Sequence, residues 1–260
     1  MVPAEPALRR GRELTRRYTA ADLDVLTGEE ARRFVRGGGD PQSDVPLAWE
    51  LLYRHEPQLY DRLVSAERLH PGVVAWLPDG VERIVEVGAG TGRLTLELVR
   101  RAREVVAIEP ASALREIVCQ KLAGVDDGRR ASVACGFFDD LPLPSDHADL
   151  VVACSAFTPA PGHGGDAGLG EMERVCRPGG CVAIVWPNHL DWLARRGYRH
   201  VSFAGEMVME FASHRDAVEL TEIFYPRAAG AVRRGASRRV PYTTLAINPP
   251  RDLAFKVMPA

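Results

Sequence analysis

The sequence predicts an α/β fold built on a doubly wound, mostly parallel sheet, and three observations carry this prediction. Strand-like apolar runs alternate with helical segments between residues 82 and 186. A glycine-rich turn, E-V-G-A-G-T-G at residues 86–92, follows the first run and precedes a helical segment. An acidic residue, Glu109, ends the second run. Because ligands bind such sheets at the carboxyl ends of their strands, the turn and Glu109 are expected to share one site.

The strand-like runs are short, apolar and rich in valine and isoleucine. They cover Glu82–Val87, Glu104–Glu109, Ala131–Cys135, Ala148–Cys154 and Cys181–Trp186, with helical segments after the first, second and fourth. Beyond them the pattern predicts a short helix at Leu190–Arg196, an extended stretch at Tyr198–Phe211, a helix at Arg215–Phe224 and further helix to about Arg234. The run Val240–Ile247 is predicted to finish the sheet as an antiparallel edge strand.

The first 80 residues read as helices. A helix is predicted at Ala7–Tyr18, and another after Thr27, whose side chain forms a capping box with Glu30. Glycines 37–39 predict a flexible joint. Further helical periodicity covers Leu47–His55, Gln58–Leu69 and Val73–Leu77. Residues 1–80 are therefore predicted to be a helical arm and lid, and residues 81–260 the ligand-binding domain.

The charge balance indicates which kind of binding partner to expect. The chain has 33 basic and 35 acidic residues, a formal net charge of -2 over 260 residues. No global field then attracts nucleic acid or an anionic membrane, so a small-molecule substrate is expected. The oligomeric state stays open at this stage.

The cysteines favour a reducing, cytoplasmic setting. They are Cys119, Cys135, Cys154, Cys176 and Cys181. An odd number without a C-x-x-C pair predicts buried thiols in place of a zinc site or a disulfide framework, so no metal is expected. The chain has no apolar run of membrane-spanning length and no signal-peptide core at its start, which fits a cytoplasmic protein.

The glycine turn and Glu109 together predict a nucleoside-bearing cofactor. Glu109 follows the last glycine of the turn, Gly92, by 17 residues (109 minus 92), and a carboxylate at that spacing suits the two hydroxyls of a ribose. In a dinucleotide-binding G-x-G-x-x-G turn the third glycine arrives one residue later than Gly92 does. Glu86 lies two residues before the first glycine, where a carboxylate suits a ligand amine better than a pyrophosphate.

Five segments in order resemble motifs of one family. They are E-V-G-A-G-T-G at 86–92, V-V-A-I-E-P at 105–110, G-F-F-D-D-L-P-L at 136–143, H-A-D-L-V-V-A at 147–153 and E-R-V-C-R-P-G-G at 173–180. Over Val81–Trp186 the chain resembles the class I S-adenosylmethionine-dependent methyltransferases of the small-molecule, domain-11-like type. The resemblance implies a Rossmann-like seven-stranded sheet with an antiparallel edge strand, with Pro178–Gly180 as a turn before strand five. It also implies S-adenosylmethionine as the cofactor.

The resemblance further implies which residues contact the cofactor. They are Glu86, Gly88, Ala89, Gly90, Glu109, Pro110, Phe137, Phe138, Cys154 and Ser155. In this reading the glycine turn faces the methionine moiety, Glu86 approaches its amine and Glu109 holds the ribose. Cys154 or Ser155, at the end of strand four, contacts the amine side.

The adenine contacts depart from the family pattern. Phe137 and Phe138 are expected to flank the ring, but Phe137 stands where the family often has an acid for the adenine amino group. Asp139 or main-chain groups are then expected to contact the adenine amino group. Simple core packing of both phenylalanines at a strand end is the alternative.

The expected reaction is in-line methyl transfer to an O, N or C atom of a small molecule, because the sulfonium is already a strong electrophile. A general base would help with a hydroxyl or ammonium acceptor. The candidate catalytic residues are His163 and His189, both near the expected pocket mouth, and Asp191 and Tyr198 are further candidates beyond the strand ends. Solvated loop histidines are the plain alternative.

Two other functions stay open. Residues 155–159, after strand four, lack the N-P-P-Y type motif of methyltransferases that act on amino groups of bases or glutamine. A non-catalytic S-adenosylmethionine-binding regulatory or scaffold protein is therefore the first alternative. An RNA or protein methyltransferase is the second, and it would use the basic cluster Arg227, Arg233, Arg234, Arg238 and Arg239.

Overall fold

The computed structural model describes residues 12–35, 39–125, 130–160 and 163–260, and the chain divides into two compact units. The sheet unit comprises Leu69–Ala204 and Pro250–Ala260. The helical unit comprises the chain up to Arg68 together with Gly205–Pro249. This division differs from the predicted segments 1–80 and 81–260, since residues 69–80 group with the sheet and 205–249 with the N-terminal helices.

The strands, numbered in chain order, are β1 (Val81–Val87), β2 (Ala102–Ile108), β3 (Ala131–Ala134), β4 (Ala148–Cys154), β5 (Cys176–Val185), β6 (Arg199–Ser202), β7 (Val208–Glu210), β8 (Arg239–Pro241) and β9 (Asp252–Val257). The sheet unit holds a seven-stranded sheet of order β3-β2-β1-β4-β5-β9-β6, in which β1 to β5 are parallel. Strand order reverses between β1 and β4, where doubly wound sheets open a ligand crevice. The predicted fold class is confirmed.

The helices are α1 (Arg12–Thr15), α2 (Gly28–Phe34), α3 (Val45–His55), α4 (Pro57–Ala66), α5 (Pro71–Trp76), α6 (Thr95–Leu98), α7 (Ser112–Ala123), α8 (Gly165–Val175), α9 (Leu190–Ala194), α10 (His214–Phe224), α11 (Pro226–Gly235) and α12 (Tyr242–Leu245), with a 3₁₀ helix at Ala20–Val25. Across the described ranges, no helix combines the length and the apolarity that crossing a membrane requires.

Helices cover both faces of the sheet, which explains why its central strands are apolar throughout. Val85 and Val87 of β1 belong to a buried cluster that includes Met172 of α8. Side chains alternate along a strand, so Ile84 and Glu86 point to the other face. Glu86 therefore enters the layer that contains α6, where Thr95 donates a hydrogen bond to it.

The antiparallel strand is β9, and the prediction of a strand at Val240–Ile247 is wrong. That segment forms the short strand β8 and then α12. Tyr242 and Leu245 are both buried because residues three apart share one side of a helical turn, whereas in a strand they would point to opposite faces. Strand β9 pairs antiparallel with both β5 and β6 and so lies one position inside the edge of the sheet.

Strand β5 begins five residues earlier than predicted. The segment Pro178–Gly180 forms an irregularity within the strand, where Ala148 pairs with Cys176 but Leu150 pairs with Cys181. Gly179 has a φ of +71°, and a Cβ on Gly180 would lie 2.9 Å from the carbonyl oxygen of Asp149. The expected turn before strand five is therefore a bulge inside it.

The helical unit is held by aromatic and ionic contacts between distant segments. Trp49 of α3 stacks on Phe224 of α10 with ring centroids 5.6 Å apart. Arg62 of α4 makes ion pairs with Asp216 at 2.6 Å and Glu219 at 2.9 Å. These contacts join the N-terminal helices to the insert 205–249.

The start of the chain follows the prediction where it is described. Thr27 and Glu30 form the expected capping box, with bonds of 3.2 Å and 2.9 Å to each other's main-chain amides. Of the predicted helix Ala7–Tyr18, residues 12–15 are helical, and residues 7–11 lie outside the described residues. The predicted joint at residues 37–38 also lies outside them.

The cysteines are less buried than predicted. Cys119 and Cys135 are exposed, the first on the outer side of α7 and the second just past β3. Cys176 is buried, and its burial raises the pKa of its thiol to about 12. The prediction of buried thiols is therefore wrong for Cys119, which lies on the exposed side of α7, and for Cys135, which lies exposed after the end of β3.

Candidate cofactor site

The turn after β1 needs its glycines for both conformation and packing. Gly88, Gly90 and Gly92 have φ values of +73°, +57° and +91°, a region that L side chains occupy only with strain. A Cβ on Gly88 would lie 3.1 Å from Cε1 of Phe138, and one on Gly92 would lie 2.6 Å from Cγ2 of Val118. The turn thus leaves no room for larger residues on either side.

The main-chain amides of the turn bind back to the protein. The amides of Gly88 and Ala89 both donate to the carbonyl of Ile108 at the end of β2, at 2.8 Å and 3.0 Å. The amide of Gly92 donates to the carbonyl of Ala89 at 3.0 Å. The amide of Gly90 donates to Oε2 of Glu109 at 2.9 Å. These bonds fix the turn against the neighbouring strand.

Glu109 follows β2 and is 5% exposed. Its second oxygen, Oε1, accepts a bond of 2.9 Å from the amide of Ala111. The carboxylate therefore braces the glycine turn and the start of α7 at once. Each oxygen has a second acceptor site, so the bracing role is compatible with the predicted ribose contact.

Glu86 is a deeply buried carboxyl group, 1% exposed. Burial raises its pKa to about 8, although a 2.5 Å bond from Thr95 Oγ1 and the positive charge of Arg93 favour the ionised form. The negative charge of Glu109 raises the pKa further. A cation placed beside Glu86 would favour its ionised form.

Two strand ends beside the turn are strained. Ser155 after β4 has a φ of +57°, and Trp186 after β5 has a φ of +54°. Neither is a glycine, and such conformations persist only where the surroundings impose them, commonly at functional sites. The amide of Ser155 donates to the carbonyl of Val185 at 2.9 Å, so the two strained ends are neighbours in the sheet.

Arg93, directly after the third glycine, reaches both of these ends. Its Nη2 donates to Sγ of Cys154 at 3.2 Å. Its guanidinium carbon lies 5.4 Å from the ring centroid of Trp186, which is 3% exposed. Arg93 and Trp186 were missed from the sequence, and the position of Arg93 beside the glycine turn was the signal for it.

Of the two phenylalanines, Phe138 borders the turn. It is half-buried, packs against Phe157 with ring centroids 4.8 Å apart and limits the space beside Gly88. Phe137 is half-buried, and its main chain pairs with Asp140 in an isolated bridge. Asp139 is exposed. The adenine contacts of this segment stay predictions.

The candidate bases differ in environment. His163 is half-buried, and its carbonyl accepts a bond of 3.0 Å from the amide of Thr158. His189 is half-buried at the start of α9, and Asp191 is exposed. Tyr198 is 5% exposed, and its hydroxyl donates to Glu173 at 3.2 Å, so burial raises its pKa and makes it a poor base. The catalytic roles of His163 and His189 stay predictions.

The site fits S-adenosylmethionine on two observations. Gly88 carries no Cβ, so a ligand can approach the main chain of the turn closely. Thr91 is 1% exposed, and among the described residues its hydroxyl oxygen has no hydrogen-bond partner. A buried polar group without a partner is costly and marks a place for a ligand's polar atom.

Comparison with known proteins places this geometry in a family. Residues 84–180 match the methyltransferase domain family. This segment is a class I S-adenosylmethionine-dependent methyltransferase domain. An uncharacterised methyltransferase of Mycobacterium bovis is 30% identical over 133 residues, which cover 49% of the chain and 50% of the relative. One of Geobacillus kaustophilus is 31% identical over 126 residues, which cover 48% and 52%. The chain thus spans about half the length of these curated relatives.

Solved structures share the fold of the methyltransferase domain. The [4+2]-cyclase SpnF has a TM-score of 0.53 and 16% identity, over 81% of this chain and 96% of that chain. A methyltransferase of Haloferax volcanii, solved with the Trm112 methyltransferase activator, has a TM-score of 0.52 and 16% identity, over 80% and 96%. At these identities the likeness concerns the Rossmann-like fold alone.

Proposed function

We propose that the protein transfers a methyl group from S-adenosylmethionine to an O, N or C atom of a small molecule by in-line displacement. The observation that carries the proposal is the carboxylate of Glu109, which lies within the methyltransferase domain and braces the glycine turn through Gly90. That arrangement presents an acidic group and a glycine turn side by side at the carboxyl edge of the sheet.

When bound, S-adenosylmethionine supplies a methyl group on a sulfonium, so the protein has mainly to bind and align. The turn at Gly88–Gly90 offers close approach to the methionine moiety. Glu86 is assigned to the amine and Glu109 to the ribose hydroxyls. His163 and His189 are the candidate bases that take a proton from an O–H or N–H acceptor.

A small acceptor is favoured over nucleic acid. The net charge of -2 provides no general attraction to phosphate. Within the basic cluster, Arg233 pairs with Glu222, and Arg238 pairs with Glu210 at 2.8 Å. Acidic neighbours of this kind weaken the cluster as a phosphate-binding surface.

Cofactor binding without methyl transfer is the second candidate. Residues 155–159, which follow β4, lack the N-P-P-Y type motif, and this absence favours the second candidate. A screen of hydroxyl-, thiol- and amine-bearing metabolites with methyl-labelled S-adenosylmethionine separates the two candidates, since label in any acceptor removes the second.

The test of binding is calorimetry with S-adenosylhomocysteine on the full chain. We expect Glu109→Ala to weaken binding at least about 10-fold, through loss of hydrogen bonds to a charged group. The matched control is Glu104→Ala on the same strand, which removes a partly exposed ion pair with Arg83 and should leave binding unchanged. Absence of binding by the wild-type protein would remove the proposal.

A further inference from the structure

Four main-chain amides of the glycine turn already donate to acceptors within the protein. Turns of this kind commonly bind anions through their amides. Here the amides of Gly88 and Ala89 donate to Ile108, that of Gly92 donates to Ala89, and that of Gly90 donates to Glu109. A carboxylate that approached these amides would have to displace bonds that hold the turn in shape.

The cofactor of the proposed function ends in an amino acid, which carries an ammonium and a carboxylate at neutral pH. The buried acids at the turn are Glu86 and Glu109, 1% and 5% exposed. Both suit cations or hydroxyl donors, and Glu109, together with Glu86 once an ammonium has ionised it, would repel a carboxylate. A cationic side chain would be the strongest partner for the carboxylate.

Arg93 is placed to be that donor. Its guanidinium is held between Cys154, the last residue of β4, and the ring of Trp186, which follows β5. One of its bonds, at 3.2 Å, goes to a sulfur atom, which is a weak acceptor. A ligand carboxylate is a much stronger partner for guanidinium, and it binds both prongs of the group at once.

We infer that Arg93 binds the carboxylate of the cofactor's amino-acid end and so selects ligands that carry it. The inference rests on the proposed function and deepens it. The cation–π contact with Trp186 and the bond to Cys154 hold the guanidinium at these two strand ends before the ligand arrives. The charge of Arg93 lies near Glu86, so an ammonium and a carboxylate on one ligand carbon meet opposite charges at adjacent positions.

Thr91 is the competing donor. Its hydroxyl is buried and has no partner among the described residues. A hydroxyl supplies one neutral hydrogen bond, whereas a guanidinium supplies two charge-assisted bonds. Loss of the guanidinium should therefore cost far more affinity for a carboxylate ligand than loss of the hydroxyl.

The test compares two ligands that differ only in the carboxylate: S-adenosylhomocysteine and its decarboxylated analogue S-adenosyl-3-thiopropylamine. Calorimetry on the full chain should show that the wild-type protein prefers the first by about 10- to 100-fold. Arg93→Met should abolish this preference by weakening S-adenosylhomocysteine alone, and Arg93→Lys should keep part of it. Thr91→Val is the matched control and should keep most of it.

Each other outcome decides against the inference. If Arg93→Met weakens both ligands alike, Arg93 is only a structural brace between Cys154 and Trp186. If Thr91→Val and not Arg93→Met removes the preference, the hydroxyl is the donor. If the wild-type protein binds both ligands equally, the inference fails and the proposed function stands. If the wild-type protein binds neither, both fail.

Discussion

Thr95 donates a 2.5 Å hydrogen bond to Oε2 of Glu86, a carboxyl group that is 1% exposed at the end of β1. The bond supports the ionised form, yet burial outweighs it and keeps the pKa at about 8. A group poised in this way changes its charge when a cation arrives. It also makes the stability of the protein depend on pH.

The first prediction concerns that stability. The folded pKa of Glu86 lies above the value of about 4.3 for an unfolded chain, so the folded state binds the proton more tightly. Its contribution is present below about pH 4.5 and is lost as the pH rises toward 8, on the order of 5 kcal/mol in all. Urea unfolding of Glu86→Gln should lack this decline between pH 5 and 8, and parallel curves for the two proteins would contradict the prediction.

The second prediction concerns cofactor binding. An ammonium beside Glu86 would lower its pKa, so binding at pH 7 should release close to one proton. Calorimetry of S-adenosylhomocysteine in phosphate and in Tris, which have different ionisation enthalpies, measures that proton. The release should disappear in Glu86→Gln and should shrink at pH 9, where Glu86 is already ionised. Equal proton release by wild type and variant would assign the proton to another group.

The alternation of strand-like and helical segments predicted most of the fold. The two-residue period of a strand and the 3.6-residue period of a helix can each be recognised within a short stretch of sequence. Strand β4 was predicted with its observed bounds, Ala148–Cys154, and β1 to within one residue. The run Val240–Ile247 was misassigned because its β-branched and aromatic residues favour a strand, although the spacing of Tyr242 and Leu245 fits only a helical turn. In the structure, β9 at Asp252–Val257 and not the run Val240–Ile247 pairs antiparallel with β5.

The site was predictable where residue type alone sets the geometry. The glycines of the turn and the spacing of Glu109 indicated a cofactor because only certain residues tolerate those positions. Arg93 and Trp186 were not predictable in the same way. The positive φ of Trp186 is imposed by its neighbours, and the reach of Arg93 to Cys154 depends on the packing of three strand ends.

The third prediction tests the packing of the glycine turn. Gly92→Ala places a side chain at a φ of +91° and 2.6 Å from Cγ2 of Val118, which is fully buried on α7. Strain and overlap together should destabilise the protein by about 2–4 kcal/mol in urea unfolding. The control is Gly170→Ala in α8, where the structure leaves open space and helix propensity should add about 0.5–1 kcal/mol of stability. Equal effects at the two positions would contradict this account.

The fourth prediction concerns an ion network within the helical unit. Arg54 of α3, its side chain 4% exposed, pairs with Glu30 at 2.7 Å and with Glu50 at 2.8 Å. Arg54→Met would leave two poorly exposed carboxylates without their cation, which should cost about 3–5 kcal/mol. Hydrogen exchange of the α3 amides, followed by mass spectrometry, reports this loss even if the two units unfold separately.

Glu30→Gln and Glu50→Gln, added to Arg54→Met, should restore part of the protection, because neutral amides are easier to bury. Arg233→Ala removes a pair whose side chains are 64% and 45% exposed and should change the exchange by less than about 1 kcal/mol. Equal losses in Arg54→Met and Arg233→Ala would show that burial does not set the strength of these pairs.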